Sequence, residues 1–473
     1  MAQGEDRLNK STILGLAAMA LAVLVVANDF TALSVALPAM EQDFGADVTT
    51  VQWVINGYAL VFGVLIVTGG RLADMFGRRR IFFLGASLFA VFSVIGGFAP
   101  NVGVLLACRA LMGVGGAMMW PAILGMTYAL LPSSKAGLAG GLILGAAGFG
   151  NAIGPLIGGA LTDAVSWRWI FFLNLPIAAF AMLVTQRIVR ADQGTLSDHR
   201  VDYGGIALLS IGLLGLLFAL DQGIDLGWTD PLIVGLFAIA AVALVGFLLI
   251  ERRMGAMALV PNDVLTNRVF LPACMAVLLM SAIFFAALLY LPQFMTKVLG
   301  YSAAASGAGL LPMMGTFAVT SFVAGPLYGR MGPKLIVSLG AAFLAVGIFM
   351  LSMVSPTTMY DDLIAGMVVL GIGVGLFYSS ITTAAVTALE PSRSSLAGGI
   401  IYMFQIAGGS IGLGLNTALV VTAGSLVEGI QRAFLVDAIL AACGVVVSIL
   451  FIGGQVDKER LRILQHHHRA HAP

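Results

Sequence analysis

GGRLADMFGRRR, residues Gly69 to Arg80, is the densest charge cluster in a chain that is otherwise almost all apolar. It holds the acid Asp74 and the bases Arg71, Arg78, Arg79 and Arg80. Apolar runs of helix-spanning length flank it on both sides. The sequence therefore predicts a short, glycine-bounded turn in water between two membrane spans, on the side where bases collect. The bulk composition agrees. Charged residues are 10% and hydrophobic residues 59% of the chain, where a soluble domain is about a quarter charged. A chain of 473 residues this apolar cannot hide its apolar surface in one soluble core. It reads as an all-α, polytopic membrane protein. The net charge of +1 argues against a nucleic-acid partner. Cys108, Cys274 and Cys443 all fall inside apolar runs, as small buried hydrophobes do, and no disulfide framework is expected.

Fourteen spanning runs can be marked, at roughly residues 12–37, 50–70, 80–99, 102–129, 136–162, 169–189, 203–221, 231–250, 269–296, 302–326, 334–354, 361–388, 395–423 and 433–454. Each is long enough to cross a ~30 Å core at about 1.5 Å per residue. The runs are continuous rather than alternating, which excludes a β-barrel. The first is too long for a cleavable signal peptide. An even count puts both termini on one side. Of the 24 lysines and arginines, only Arg168, Lys297 and Arg432 fall on the opposite side, and Arg109 lies inside a run; the rest share the side of the termini. That asymmetry predicts a protein of the cytoplasmic membrane with both termini, and the Gly69–Arg80 stretch, in the cytoplasm.

The chain also repeats itself. Gly70, Leu72 and Gly77 recur as Gly325, Leu327 and Gly332, and LAGGLILGAAGFGNAIGPLIGGAL from Leu138 recurs as LAGGIIYMFQIAGGSIGLGLNTAL from Leu396, at nearly the same offset. The predicted organisation is two pseudo-symmetric six-helix bundles, at about residues 1–195 and 259–456, with two extra helices at 196–258 and a cytoplasmic tail at 457–473.

With these motifs in place the chain resembles the major facilitator superfamily, and within it the fourteen-span drug:proton antiporter branch. Gly70-Arg71-Leu72-Ala73-Asp74-Met75-Phe76-Gly77-Arg78-Arg79 is similar to the superfamily's motif between spans two and three. Asp29-Phe30-Thr31 through Ala36-Leu37-Pro38 resembles the first-span motif of the fourteen-span branch. Arg109 with Gly113 resembles the fourth-span motif, with Met112 in place of a usual glutamine. Gly150-Asn151-Ala152-Ile153-Gly154-Pro155 with Gly158 and Gly159 resembles the fifth-span antiporter motif. Trp167 to Phe172, with Asn174 and Pro176, is similar to the start of span six in drug exporters. The resemblance implies a major-facilitator fold, a role for Arg109 in proton coupling, and a latch of Asp74 and the arginines that holds the two halves together on the inside.

Read from the residues themselves, Asp29 is the foremost candidate. A carboxylate inside the first span is expensive to keep charged, and such residues mark ion or proton pathways. An acid that takes a proton and also attracts a cationic substrate suffices for exchange; the competing reading is a structural acid capped by a neighbour such as Thr31. Arg109 sits at a similar depth and needs a partner, for which Asp29 is available; the competing reading is a hub of hydrogen bonds tethering helices. Asp437, nearer the outer end of the last span, reads as solvated. Gly70, Asp74, Gly77, Arg78 and Arg79 read either as topogenic charge or as a gate whose acid seeks the helix N-terminus near Ser394. In the second copy Gly329 stands where that acid would be. Gly150, Gly154 and Gly158 form a smooth ridge, bent at Pro155, on which the fifth span could slide against the other half. Trp53, Asn56, Tyr58, Phe284, Tyr290, Gln293, Tyr378, Phe404 and Gln405 are the candidates for lining a substrate cavity, each of which could equally be packing.

No P-loop pattern is present, so ATP hydrolysis is not expected. The His466–His468 run has no partner ligands nearby, and neither a metal nor a cofactor is expected. The reading is a monomeric, non-enzymatic exporter driven by the proton gradient, moving amphipathic and in part cationic small molecules by alternating access. Two alternatives stand beside it: export of a native lipid, siderophore or antibiotic, and a non-transporting receptor or scaffold on the same fold.

Overall fold

The computed structural model of the chain describes residues 9–190, 201–255 and 258–452. The tail with its histidine run, and the boundary expected near residue 195, lie outside the described residues. Fourteen helices are long and apolar enough to cross a membrane. They are α1 (Lys10–Ala32), α2 (Val48–Phe76), α3 (Arg78–Gly97), α4 (Val102–Leu130), α5 (Ala136–Ala164), α6 (Arg168–Ile188), α7 (Tyr203–Leu226), α8 (Pro231–Met254), α9 (Phe270–Lys297), α10 (Leu311–Met331), α11 (Pro333–Leu351), α12 (Tyr360–Ala388), α13 (Ser394–Val421) and α14 (Leu426–Phe451).

Local chemistry sets many of the ends. Asp47 caps α2 through Thr50 N at 3.1 Å, and Asn101 caps α4 through Val104 N at 3.0 Å. Asp202 caps α7 through Gly205 N at 2.8 Å. Asp230 caps α8 through Leu232 N at 2.8 Å, with Pro231 at the first helical position. The first apolar run is not one straight helix. It leaves α geometry at Leu33 and resumes as the short helix Leu37–Phe44, because Pro38 has no N–H to continue the ladder. Asp43 of that short helix pairs with Arg168 at the start of α6. This hydrogen bond holds the Asp43 carboxyl below the usual carboxylate range, against the opposing effect of its partial desolvation.

The duplication is visible as packing. In the first six helices α2 packs on α4, α3 on α4, α1 on α5, α1 on α6 and α3 on α6. In the last six the corresponding pairs meet: α10 on α12, α11 on α12, α9 on α13, α9 on α14 and α11 on α14. The two sets join along symmetry-related seams. α5 meets α10 and α12, while α13 meets α2 and α4. α7 and α8 pack on each other, and α7 rests on both α2 and α13. The extra pair therefore covers one of the two seams.

Gly69–Arg80 differs from its expected form. It is not a solvated turn. α2 runs on to Phe76 and α3 begins at Arg78, so only Gly77, at φ 100°, interrupts the helices. Its counterpart Gly332, between α10 and α11, has φ 81°. Both positions need a left-handed backbone, which is why the repeat keeps glycine there.

Candidate functional site

Asp29 on α1 and Arg109 on α4 form a direct ion pair from which solvent is wholly excluded. The second carboxylate oxygen of Asp29 accepts a hydrogen bond from Asn174 Nδ2 on α6 at 3.1 Å. Asn174 is in turn fixed by Ser93 Oγ on α3 at 3.1 Å, which donates to the Phe171 carbonyl at 2.7 Å. Arg109 Nε donates to the Val54 carbonyl of α2 at 2.6 Å. Its guanidinium carbon lies 4.3 Å from the centre of the Tyr58 ring. Met112, which replaces the usual glutamine, places its sulfur 4.0 Å from Arg109 Nη1. Five of the first six helices thus converge on one buried pair, and Arg109 Nη2 is still left without a hydrogen-bond partner. Thr31 does not cap the acid; its hydroxyl bonds the Asn28 carbonyl. Asn174 and Ser93 are site members that sequence reading did not assign.

At the arginine-rich end the second constellation closes the seam between α2 and α13. Asp74 accepts from Ser395 N at 3.3 Å and from Leu396 N at 2.8 Å, at the N-terminus of α13. Arg78 bonds Asp74 through Nε at 3.1 Å and the Gly125 carbonyl of α4 through Nη1 at 3.1 Å. It also reaches the Pro391 carbonyl across the seam. Arg71, Asp74 and Arg78 are all buried. Arg79 donates to the Val189 carbonyl at 2.8 Å, within the first half. Arg71 also lies within electrostatic reach of Asp202 and Glu251. Those acids belong to the base of α7–α8, so the extra pair adjoins this seal. Glu251 itself accepts from Leu259 N at 3.1 Å and Val260 N at 3.0 Å.

Close backbone contact makes the seal possible. A Cβ on Gly70 would stand 2.6 Å from the Ser395 carbonyl oxygen, and on Gly325 2.7 Å from the Gly137 carbonyl oxygen. Gly70→Ala and Gly141→Ala, the latter meeting Ser321 O at 2.7 Å, are therefore expected to open this end. Spin labels on the α2–α3 and α12–α13 turns should show a longer distance population growing in both variants. An unchanged distance distribution would contradict the packing argument.

The glycine ridge of α5 is placed differently from its sequence reading. Gly150, Gly154 and Gly158 face α1 of the same half, where added Cβ atoms would meet Leu24 O, Thr31 and Ala32. Gly137, Gly141, Gly145 and Gly148 face the other half, set against Gly325, Ser321, Phe322 and Phe317, and Gly140 faces it at Ser379 and Thr383. Five residues separate Gly145 from Gly150, about 140° around the helix, so the two runs are different ridges. Gly159 is open to Val35 at 3.7 Å. Pro155 touches the second half, 3.5 Å from a Cβ on Gly307.

A cavity of about 370 Å³ opens at the end opposite the seal. Of the residues expected to line it, Trp53, Asn56, Tyr290 and Gln293 do. Gln52 from α2, Asp221 and Gln222 from α7, Lys297 from α9 and Thr417 from α13 complete the polar part of the wall. Asp221, at the end of the run marked at 203–221, accepts from Asn56 Nδ2 at 3.1 Å. Tyr58, Phe284, Tyr378, Phe404 and Gln405 lie outside these walls. Tyr58 is buried over Arg109, and Tyr378 bonds Ser281 at 2.9 Å behind Phe284. Asp29 is not in the wall either. Phe62, Trp120 and Tyr402 meet across the halves, with Trp120 and Tyr402 ring centres 4.6 Å apart. Nearer the seal, Tyr128 bonds Thr383 at 3.1 Å. The two halves are sealed against each other at the arginine-rich end, and the cavity between them lies at the other.

Asp437 is not solvated. It is fully buried on α14 and accepts from Asn416 Nδ2 at 2.9 Å.

Comparison with known proteins adds the family context. The model of the Major Facilitator Superfamily matches residues 19–360 and 313–469. The puromycin resistance protein pur8 of Streptomyces alboniger is 34% identical over 406 residues, covering 85% of this chain and 80% of that protein. The tetracenomycin C resistance and export protein of Streptomyces glaucescens is 31% identical, covering 84% and 74%. The human organic anion transporter MFSD10 (TETRAN) shares the fold at a TM-score of 0.68, with 13% identity, across 92% of this chain and 99% of that one.

Proposed function

The chain belongs to the Major Facilitator Superfamily, and from that premise we propose that it is a proton-coupled exporter of amphipathic small molecules, cationic ones among them. It is a multi-pass membrane transporter and not an enzyme. The observation that carries the coupling is the Asp29–Arg109 pair, the one ion pair among the described residues with both side chains wholly out of solvent. Protonating Asp29 removes one charge from the pair. The Asp29–Arg109 and Asp29–Asn174 contacts then weaken together, and α1, α4 and α6 are free to shift relative to one another. Loss of the proton restores them. In this reading proton and substrate do not compete for one group. Asp29 works behind the cavity wall and acts on the substrate through helix positions.

The arginine-rich end is placed in the cytoplasm by the asymmetry of bases. The conformation described is then the one open to the outside, from which substrate is released. No cofactor enters the scheme, and one chain suffices for it. The α5–α10 seam, which α7–α8 do not cover, would give amphipathic substrates a route from the bilayer when it parts. The relatives named for resistance to puromycin and for resistance to and export of tetracenomycin C support efflux of foreign compounds or of a native antibiotic over a receptor role.

Proteoliposomes with an imposed pH gradient test this reading. Ethidium is expected to move against its own gradient in the direction opposite to the protons, and to stop when an ionophore collapses the pH difference. Ethidium movement that ignores the pH gradient would overturn the coupling.

A further inference from the structure

The geometry points to Asp437 as a second proton-carrying group, set in the last six helices and reached from the cavity through Tyr290 and Thr417. This rests on the proton-coupled reading above but concerns a different residue and a different half. Asp437 is fully buried. Its carboxyl receives one hydrogen bond, from Asn416 Nδ2 at 2.9 Å on Oδ2. Oδ1 has no partner, and neither has the amide oxygen of Asn416. Among the described residues, no lysine or arginine ion pair involves it. In this it is the opposite of Asp29, which has a guanidinium. A buried carboxylate with no cation and one amide donor is costly, whereas the neutral acid is not.

The helices packed on α14 supply no compensating charge. α11 carries Lys334 as its only charged residue, at the far end of the helix, and α13 carries none. α9 contributes Cys274, Tyr290 and Lys297, of which Lys297 stands in the cavity wall. On α14 itself Glu428 and Arg432 pair with each other near the open end.

The cavity wall comes within one residue of this pair. Asn416 and Thr417 are neighbours on α13. Thr417 Oγ1 lies 2.7 Å from the Tyr290 hydroxyl, and both residues line the cavity. In the conformation described, a proton from cavity water passes by these hydroxyls to the Asp437 carboxylate, and the O–H bond forms. After the halves rock, that bond breaks and the proton leaves to water admitted from the other side. The carboxylate stays behind, held by Asn416. Each bundle then carries one exchangeable proton, on Asp29 in the first and Asp437 in the second.

The test counts protons. In proteoliposomes loaded with a pH dye, wild type should move more than one proton per ethidium, so that transport responds to membrane potential. Asp437→Asn should move one fewer and lose the response to potential; Asp437→Glu should restore both. An Asp437→Asn ratio equal to wild type overturns the inference while leaving the exporter reading intact. Wild type that moves no protons with ethidium overturns the exporter reading instead. Infrared spectra of the purified protein decide Asp437 independently of transport. A carbonyl band of a protonated carboxylic acid at neutral pH is expected in wild type and absent in Asp437→Asn. If that variant fails to assemble, Asp437→Glu should shift the band and its titration. A band indifferent to either change overturns the assignment.

Discussion

Asp29→Asn is expected to abolish proton-driven export and to cost about 3–5 kcal/mol of stability, the range for breaking a buried ion pair by removing one partner. The change leaves the Arg109 guanidinium among apolar helices with no anion against it, facing the Val54 carbonyl, the Met112 sulfur and the Tyr58 and Phe171 rings. A stranded guanidinium cannot neutralise itself, because arginine stays protonated. Arg109→Met strands the carboxyl instead, and a lone carboxylic acid can become neutral by binding a proton. The two single variants should therefore be unequal, with Asp29→Asn the less stable. The double variant should recover much of the stability and none of the coupling. Thermal unfolding in detergent and gradient-driven ethidium transport check both halves. Equal costs for the two single variants, or a double variant that still couples, would count against the account.

Asp74→Asn is the second large effect, on rate rather than stability. Asp74 meets two backbone N–H groups at the start of α13 and Arg78 at once. Asparagine keeps an acceptor but loses the charge. Charge-assisted hydrogen bonds contribute about 1.5–3 kcal/mol, so the closed end should become roughly ten- to a hundredfold less populated. Turnover should fall by a similar factor, because every cycle must pass through that closure. Affinity for ethidium should change little, since the cavity lies at the other end. Equilibrium binding alongside initial transport rates separates the two. A loss of binding as large as the loss of transport would contradict a gate.

The span count and the repeat were legible because both are written in the period and length of apolar runs. The meeting of Asp29 with Arg109 was legible for a related reason: two opposite charges at one depth in an apolar chain have few other places to go. The contact of Asp74 with the start of α13 could be anticipated from the preference of acids for helix N-termini. What the sequence hid is geometry between helices. Arg71, Asp74 and Arg78 look solvated in a charged motif, yet the closure of α13 over them buries all three. The glycines of α5 look like one ridge, and only the phase of the helix divides them between α1 and α10. Asp437 looks peripheral by its position in the last span, and Asp221 stands only at the end of a marked run. Burial of the first and the cavity position of the second depend on which helices surround them. Phe62, Trp120 and Tyr402 are ordinary aromatics until α2, α4 and α13 bring them together.

The central claim is that Asp29, paired with Arg109, transfers protons in exchange for substrate. The most direct measurement reverses the driving force. Proteoliposomes are loaded with ethidium, diluted into ethidium-free buffer without an imposed pH gradient, and followed with a pH dye. Wild type is predicted to move protons inward as ethidium leaves, and Asp29→Asn to move none, with its ethidium flux uncoupled or absent. Asp29→Asn protein that moves as many protons per ethidium as wild type would contradict the account.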